Sequence, residues 1–303
     1  MASSPVLLRS GCKINLYLHV GAKLTNGYHN IDSLLLPLPE PHDIIQARIL
    51  DKDGSGSCRV RFFANADVGI PLPDISPENN TLTRAYALFA GLTGFAPALE
   101  LCVRKGVPHG AGLGGGSANA GAMLLWLYAA AKKNGILTSF DQLLEASASV
   151  GADVPFFLFG KPAQAAGIGE QLRPAPNPFQ GHFLVLVCPS ERVSTGWAFA
   201  ALDSQREKKK AESFLTSPAA QANKSLAHAS GSCNDFEPVV FAAYPQLDRL
   251  HRRLLQTETV LARMSGTGSA CFAIYRDEKN ARDVAKTLAK EGMAVYMSQL
   301  PIE

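Results

Sequence analysis

The stretch Pro108–Asn119 reads PHGAGLGGGSAN and leads directly into an alanine-rich, apolar segment. Five of its twelve residues are glycine, and the segment 117–133 is predicted to be a buried helix because it is apolar nearly all round. The N-terminus of a helix presents backbone N–H groups without partners and a partial positive charge. Glycine lets an anion approach those groups closely. The stretch therefore predicts a loop that holds phosphate at the start of a helix.

Two familiar nucleotide motifs match this loop only in part. Gly110, Gly112 and Gly115 fit G-x-G-x-x-G, but position 135 is glycine where a dinucleotide site needs an acidic residue. Gly110 and Gly115 also fit the G-x-x-x-x-G-K-S/T phosphate loop, yet Gly116 stands in the place of the lysine. A purely structural tight turn is the remaining alternative, and it leaves the entropic cost of three consecutive glycines unexplained. A phosphate loop whose missing lysine is replaced by a metal ion or by a base from elsewhere is favoured.

The composition is that of a soluble globular protein that binds small anions rather than nucleic acid. The chain has 303 residues, of which 47% are hydrophobic and 18% charged, with a net charge of +3. No run of 18 apolar residues predicts a membrane span. Six scattered cysteines show no spacing of a zinc or redox pair, which favours free thiols in a reducing compartment. Since Met1–Pro5 does not begin a leader peptide, the expected location is the cytoplasm.

Strands and helices are mixed along the chain, which predicts an α/β or α+β fold. Residues 13–20 alternate strictly, with Ile14, Leu16, Leu18 and Val20 on one face and Lys13, Asn15, Tyr17 and His19 on the other. Further strands are predicted at 31–38, 58–63, 98–104, 154–159, 183–188, 293–298 and through residue 275, and further helices at 81–90, 139–150, 246–256 and 279–291. The chain is expected to divide into domains at 1–163 and 164–303.

A polar segment at 204–232 interrupts the second half. It opens with the charge run 206–210 (REKKK) and continues with serine- and alanine-rich sequence. A solvated helix end or a mobile loop is the favoured interpretation of this run, and a phosphate-binding patch is the alternative.

Five stretches together resemble the GHMP kinases, the superfamily of galactokinase, homoserine kinase, mevalonate kinase and phosphomevalonate kinase. PHGAGLGGGSANAGAML (108–124) resembles their phosphate-binding motif, although Ala118 stands where a second serine is common. MSGTGSACFAIY (264–275) resembles their C-terminal glycine motif. KINLYLHVGAKLTNGYHNIDSLL (13–35) and GADVPFFLFG (151–160), with NDFEPVV (234–240), are similar to the branch that phosphorylates 4-diphosphocytidyl-2-C-methyl-D-erythritol.

The resemblance implies a fold and a reaction. The fold is a two-domain α+β architecture, with a ribosomal-protein-S5-like N-terminal domain and a ferredoxin-like C-terminal domain. The reaction is ATP-dependent phosphorylation of the substrate's 2-hydroxyl in non-mevalonate isoprenoid precursor synthesis, with Mg²⁺ accompanying ATP. The expected partners are ATP and this small-molecule substrate, with neither nucleic acid nor membrane.

The resemblance also implies roles for individual residues. Asp153 is the expected catalytic base, with an ordinary turn aspartate as the alternative, and Lys13 is expected beside it. Asn15 is expected to bind substrate, although simple strand polarity explains it nearly as well. Tyr28 and His29 are expected to recognise the cytidine, together with Phe199, for which helix core packing is a rival explanation.

The remaining implied contacts belong to the two glycine motifs. Ser117 is the expected contact to Mg²⁺, and no side-chain cluster suggests a separate metal site. ATP is expected on Pro108, Gly110, Ala111, Gly112, Leu113, Gly114, Gly115, Gly116 and Ser117, and substrate also on Gly266 and Thr267.

Two rival functions stay open on the sequence. Another GHMP kinase, such as a mevalonate or homoserine kinase, would leave the Tyr28-His29 pair without a purpose. A non-catalytic nucleotide sensor on the same fold is disfavoured by the presence of both Lys13 and Asp153.

Overall fold

The computed structural model describes residues 4–51, 56–65, 75–76, 79–215 and 233–301. Its strands are β1 (Val6–Lys23), β2 (His29–Asp51), β3 (Cys58–Phe63), β4 (Ala98–Arg104), β5 (Ala163–Ala166), β6 (Gln171–Pro174), β7 (Phe183–Cys188), β8 (Leu261–Met264), β9 (Cys271–Tyr275) and β10 (Ala294–Gln299). Its helices are α1 (Thr81–Thr93), α2 (Gly115–Lys133), α3 (Phe140–Ser147), α4 (Val154–Phe159), α5 (Thr195–Leu215), α6 (Glu237–Ala243), α7 (Pro245–Leu255) and α8 (Glu278–Lys290).

The long strand β2 organises the first of two sheets. It pairs antiparallel with β1, β4 and β5, so that the strands run in the order β3-β4-β2-β5-β6 with β1 attached to β2. Helices α1, α2 and α3 cover one face, where Phe89, Leu101 and Leu124 are fully buried in a shared core. This layer places the N-terminus of α2 beside the middle of β1.

The second sheet has the ferredoxin-like arrangement that the sequence predicts. Its four strands lie in the order β10-β7-β9-β8, which is the fourth, first, third and second strand of this half of the chain. Helices α5 to α7 connect β7 to β8, and α8 connects β9 to β10, which gives the split β-α-β pattern. The expected α+β class with two layers of helix on sheet is confirmed.

Strand β1 contributes to two hydrophobic cores. The predicted alternation is confirmed, since Ile14, Leu16, Leu18 and Val20 are all at most 5% exposed. Ile14 and Leu16 pack in one cluster with residues of both sheets, whereas Leu18 and Val20 pack with residues of the second half of the chain. The expected domain division at 163/164 remains a prediction; β5, which spans it, and β6, which follows it, belong to the first sheet.

Local signals explain several helix ends. Asn80 accepts hydrogen bonds from the backbone of Leu82 and Thr83 and so caps α1, as its position predicts. Ser139 caps α3 in the same way through the N–H of Gln142. Among the described residues, no helix is both long and apolar enough to cross a membrane.

The strand expected at 154–159 is wrong, because this segment forms helix α4. A six-residue apolar run fits a buried strand and a buried helix equally well by its pattern. Pro155 in the first turn favours the helix, and Gly160, with φ of 71°, ends it. The consequence for the site is that Asp153 stands at the start of a helix.

The charge run 206–210 lies within helix α5, so this part of the polar segment is helical. The rest of the polar segment, residues 216–232, lies outside the described residues.

Candidate active site

The phosphate loop is built from glycines in the left-handed region. Gly110, Gly112 and Gly114 have φ values of 72°, 73° and 70°, which disfavour any residue with a Cβ. At Gly112 an added Cβ would lie 2.0 Å from the carbonyl oxygen of Ser265. Helix α2 starts at Gly115. Because its N-cap residue is Gly114, no capping side chain accepts hydrogen bonds from the N–H groups of the first turn. The first-turn N–H groups therefore point into the space in front of the helix.

The loop is fixed by hydrogen bonds from both sheets. The N–H of Lys13 donates to the carbonyl of Leu113 at 3.0 Å. From the second glycine motif, Ser265 Oγ donates to the carbonyl of Gly112 at 3.0 Å, and the N–H of Ala270 donates to that of Ala111 at 3.1 Å. The two glycine motifs are thus in direct contact.

An ammonium and a carboxylate lie beside the loop. Lys13 Nζ is 3.7 Å from Asp153 Oδ2, with the Lys13 side chain 5% and the Asp153 side chain 33% exposed. Lys13 Nζ also donates to Asn15 Oδ1 at 2.6 Å, and Asn15 Nδ2 donates to Ser33 Oγ at 2.8 Å. Asn15 therefore holds the lysine in place, while Asp153 makes no capping bond and presents its carboxylate to the cleft.

A second group of the expected residues meets around an aromatic pair. The rings of His29 and Phe199 stack with centroids 4.9 Å apart and 23° between their planes. His29 Nε2 is 2.8 Å from Asp203 Oδ1, and Lys23 Nζ is 3.3 Å from the other oxygen. Burial raises the pKa of Asp203, but the hydrogen bonds from His29 and Lys23 outweigh it, and the pKa lies below its ordinary value. Tyr28 is 58% exposed at the turn before β2.

The phosphate loop, the Lys13–Asp153 pair and Phe199 border one cleft of about 880 Å³, whereas Tyr28, His29 and Asp203 are not among its lining residues. Burial, with Lys105 and Arg192 nearby, lowers the pKa of the imidazole of His109, which lines this cleft. The lining includes the loop 108–117 and, among the other expected residues, Lys13, Asn15, Asp153, Phe199, Gly266 and Thr267.

Two family models and several named relatives match the sequence of this chain. Residues 80–161 match the family model for the GHMP kinases N terminal domain, and residues 212–294 match that for GHMP kinases C terminal. A 4-diphosphocytidyl-2-C-methyl-D-erythritol kinase of Nitratidesulfovibrio vulgaris is 42% identical over 97% of this chain and 99% of its own length. One of Solidesulfovibrio magneticus is 42% identical over 99% of this chain and all of its own length. The chain belongs to the 4-diphosphocytidyl-2-C-methyl-D-erythritol kinase family.

A solved structure of this kinase family has the same fold. The crystal structure of a 4-(cytidine 5'-diphospho)-2C-methyl-D-erythritol kinase is 25% identical and superposes with a TM-score of 0.70. The match covers 96% of this chain and 98% of that one. The expected family and two-domain architecture are therefore confirmed.

Sequence reasoning missed a buried network beneath the phosphate loop of this kinase. Asp43 is fully buried on β2, and its Oδ1 accepts hydrogen bonds from the N–H groups of Gly106 and Val107 at 2.7 and 2.8 Å. Its Oδ2 accepts from Asn119 Nδ2 at 2.8 Å and forms an ion pair with Lys105. Since Lys105 also lines the cleft, the carboxylate fixes a cation beside the loop. No motif marks Asp43, which lies more than 60 residues before its partners.

Two further positions became evident only in the fold. Asp203 is the partner of His29, although a helical aspartate in a polar segment carries no signal of its own. Asn234 donates through Nδ2 to the carbonyls of Met264 at 2.8 Å and Gly266 at 2.7 Å. This contact gives a structural role to the first residue of the NDFEPVV stretch. Asn234 thus supports the second glycine motif from behind.

Proposed function

We propose that this protein transfers the γ-phosphoryl group of ATP to the 2-hydroxyl of 4-diphosphocytidyl-2-C-methyl-D-erythritol, a step of non-mevalonate isoprenoid precursor synthesis. The observation that carries the proposal is the Lys13–Asp153 pair, which lies in the same cleft as the N-terminus of α2. Phosphoryl transfer requires positioning and charge stabilisation more than covalent chemistry from the protein. The cleft supplies both.

The polyphosphate of ATP lies on the loop 108–117 in this proposal. Backbone N–H groups at the start of α2 donate hydrogen bonds to its phosphate oxygens, and the helix dipole adds to the attraction. Lys105 and Arg192 bring positive charge to the same wall of the cleft, where they contribute with burial to lowering the pKa of His109. Together they replace the lysine that the loop itself lacks.

Asp153 accepts the proton of the acceptor hydroxyl, and Lys13 stabilises the oxygen as it becomes negative. A positioned base of this kind contributes about 10²- to 10⁴-fold to the rate. Asn15 has both amide atoms engaged, one with Lys13 and one with Ser33, so its support of Lys13 favours a positioning role over a direct role with substrate. Gly266 and Thr267 border the cleft opposite the loop and are proposed to contact substrate there.

The cytosine is recognised at the His29–Phe199 pair. The Asp203 carboxylate accepts a hydrogen bond from His29 Nε2–H, so that Nδ1 is the acceptor nitrogen of the neutral imidazole. An acceptor nitrogen complements the exocyclic amino group of cytosine. Phe199 and the exposed ring of Tyr28 offer aromatic faces to the base.

Mg²⁺ is proposed to accompany ATP, and the oxygen donors of the cleft fit it. Mg²⁺ is bound by one or two protein oxygens together with waters and substrate phosphates. Ser117 Oγ would lie 3.5 Å from a Cβ added at Gly151, which places the hydroxyl close to the segment that carries Asp153. When bound, the ion neutralises charge on the phosphates. The free cysteines agree with a working location in the reducing cytoplasm.

A competition assay tests the proposed function. The purified protein is incubated with ATP, Mg²⁺ and an equimolar mixture of 4-diphosphocytidyl-2-C-methyl-D-erythritol, mevalonate and homoserine, and phosphorylated products are identified by mass and by phosphorus NMR. We expect only the cytidylylated substrate to gain phosphate, on its 2-hydroxyl. Phosphorylation of mevalonate or homoserine instead, or ATP consumption without an acceptor, would overturn the proposal.

A further inference from the structure

Three side chains with metal-ligating atoms converge at the far end of β1 from the phosphate loop. Cys233 Sγ lies 3.6 Å from His19 Nδ1 and 3.6 Å from Asp235 Oδ1. His19 Nδ1 and Asp235 Oδ1 are 3.7 Å apart, which closes the triangle. Among the described residues this is the one group of three histidine, cysteine or acidic side chains close enough to share an ion.

The triangle has the dimensions of a tetrahedral zinc site. Zn²⁺ binds thiolate sulfur at about 2.3 Å and imidazole nitrogen or carboxylate oxygen at about 2.0–2.2 Å. With tetrahedral angles, these bond lengths separate sulfur from nitrogen or oxygen by about 3.5 Å, and nitrogen from oxygen by about 3.4 Å. The observed separations of 3.6, 3.6 and 3.7 Å differ from these by a few tenths of an ångström. Three ligands would leave the fourth position for water.

The arrangement does not suit a nucleophilic triad. In a triad, the base uses one ring nitrogen for the nucleophile and the other for the orienting carboxylate. Here Cys233 and Asp235 both face the same atom, His19 Nδ1. A cation shared by the three atoms fits this convergence of sulfur and carboxylate oxygen on one ring nitrogen.

The carboxylate is oriented by contacts on its other oxygen. Asp235 Oδ2 accepts hydrogen bonds from the N–H of Val20 at 2.8 Å and from Arg206 at 3.1 Å. These bonds direct Oδ1 toward Cys233 and His19, as outer contacts of metal ligands commonly do. The His19 and Asp235 side chains are 22% and 23% exposed, and Cys233 is exposed, so an ion can enter from solvent.

We propose that His19, Cys233 and Asp235 bind one Zn²⁺ ion. The ion would join β1 to the segment that holds Asn234, whose amide supports Met264 and Gly266 at the active site. The proposal departs from the expectation drawn from cysteine spacing, because His19 lies more than 200 residues before Cys233 and Asp235 and no spacing rule covers that separation.

Metal titration of the untagged, full-length, metal-free protein tests the proposal. Zn²⁺ is added in competition with a chromophoric chelator, and Co²⁺ is added in parallel to detect the thiolate-to-cobalt absorption band. We expect one equivalent of tight binding, a thiolate band, and a rise in Tm on adding Zn²⁺. Cys233→Ser should abolish the band and weaken Zn²⁺ binding at least about tenfold, and His19→Asn should weaken it comparably.

Cys58→Ser is the matched control, since it removes a partly buried thiol on β3 and should leave binding unchanged. The Cys233→Ser variant replaces an exposed atom and keeps the protein folded, so its result stands even if His19→Asn does not fold. Absence of stoichiometric binding by the wild-type protein, or a thiolate band that survives in Cys233→Ser, would overturn the proposal.

Discussion

Asp43 and Lys105 form an ion pair beneath the phosphate loop, with side chains 0% and 6% exposed. The carboxylate also holds two backbone N–H groups, so a single buried side chain fixes both the cation and the entry of the loop.

We expect Asp43→Asn to cost about 3–5 kcal/mol in the free energy of unfolding, because it leaves the Lys105 ammonium buried without a counter-charge. Urea unfolding followed by fluorescence measures this. Glu100→Gln is the control, since its partner Arg61 is exposed and such pairs contribute about 0–1 kcal/mol. Equal losses of unfolding free energy in the two variants would show that the buried pair stabilises the protein no more than the exposed pair does.

Asp153→Asn should lower kcat by about 10²- to 10⁴-fold while leaving KM for ATP nearly unchanged. The fold should be kept, because the carboxylate makes no capping bond to α4. Steady-state kinetics and the Tm provide the measurement, with Asp141→Asn in the first turn of α3 as the control. A near-normal kcat would remove Asp153 from proton transfer.

His29→Ala should raise KM for the cytidylylated substrate about 10- to 100-fold, which corresponds to a lost hydrogen bond and ring contact, and leave KM for ATP unchanged. Asp203→Asn should have a smaller effect in the same direction, because it removes the acceptor that fixes the His29 tautomer. Equal effects on both substrates would place the base elsewhere.

Nucleotide binding should take up a proton in weakly acidic buffer. Burial, Lys105 and Arg192 hold the pKa of His109 below its ordinary value in the free protein, which favours the neutral imidazole, and a bound triphosphate would raise that pKa and favour the charged form. Calorimetry in buffers of different ionisation enthalpy measures the uptake, which His109→Gln should abolish and His182→Gln should not. Proton release, or uptake unchanged in His109→Gln, contradicts the assignment.

Gly112→Ala should destabilise the protein by more than Gly135→Ala. Both glycines have positive φ, which alone costs alanine about 1 kcal/mol. Only at Gly112 would the new Cβ also meet a backbone carbonyl, that of Ser265, whereas nothing lies within 4 Å at Gly135. Comparable unfolding midpoints for the two variants would show that the Ser265 carbonyl does not exclude a side chain at position 112.

Local sequence signals were sufficient where the structure is local. The apolar face over 13–20 and the helix that follows the glycine run depend on neighbouring residues, and both predictions are confirmed, while phosphate binding by the run stays a prediction. Helix α4 was mistaken for a strand because six apolar residues contain too little periodicity to decide. The partners Asp43 and Asp203 depend on contacts between distant segments, which no window of the sequence contains.

The bond between Ser265 and Gly112 has a consequence for synthesis of the protein. A nascent chain that ends at residue 163 already carries Lys13, Asp153 and helix α2, but nothing yet faces the phosphate loop. The glycine motif that packs against the loop is translated only when the ribosome reaches residues 264–268. The two glycine motifs therefore meet only after most of the second half of the chain has been synthesised, and shorter nascent chains lack this contact.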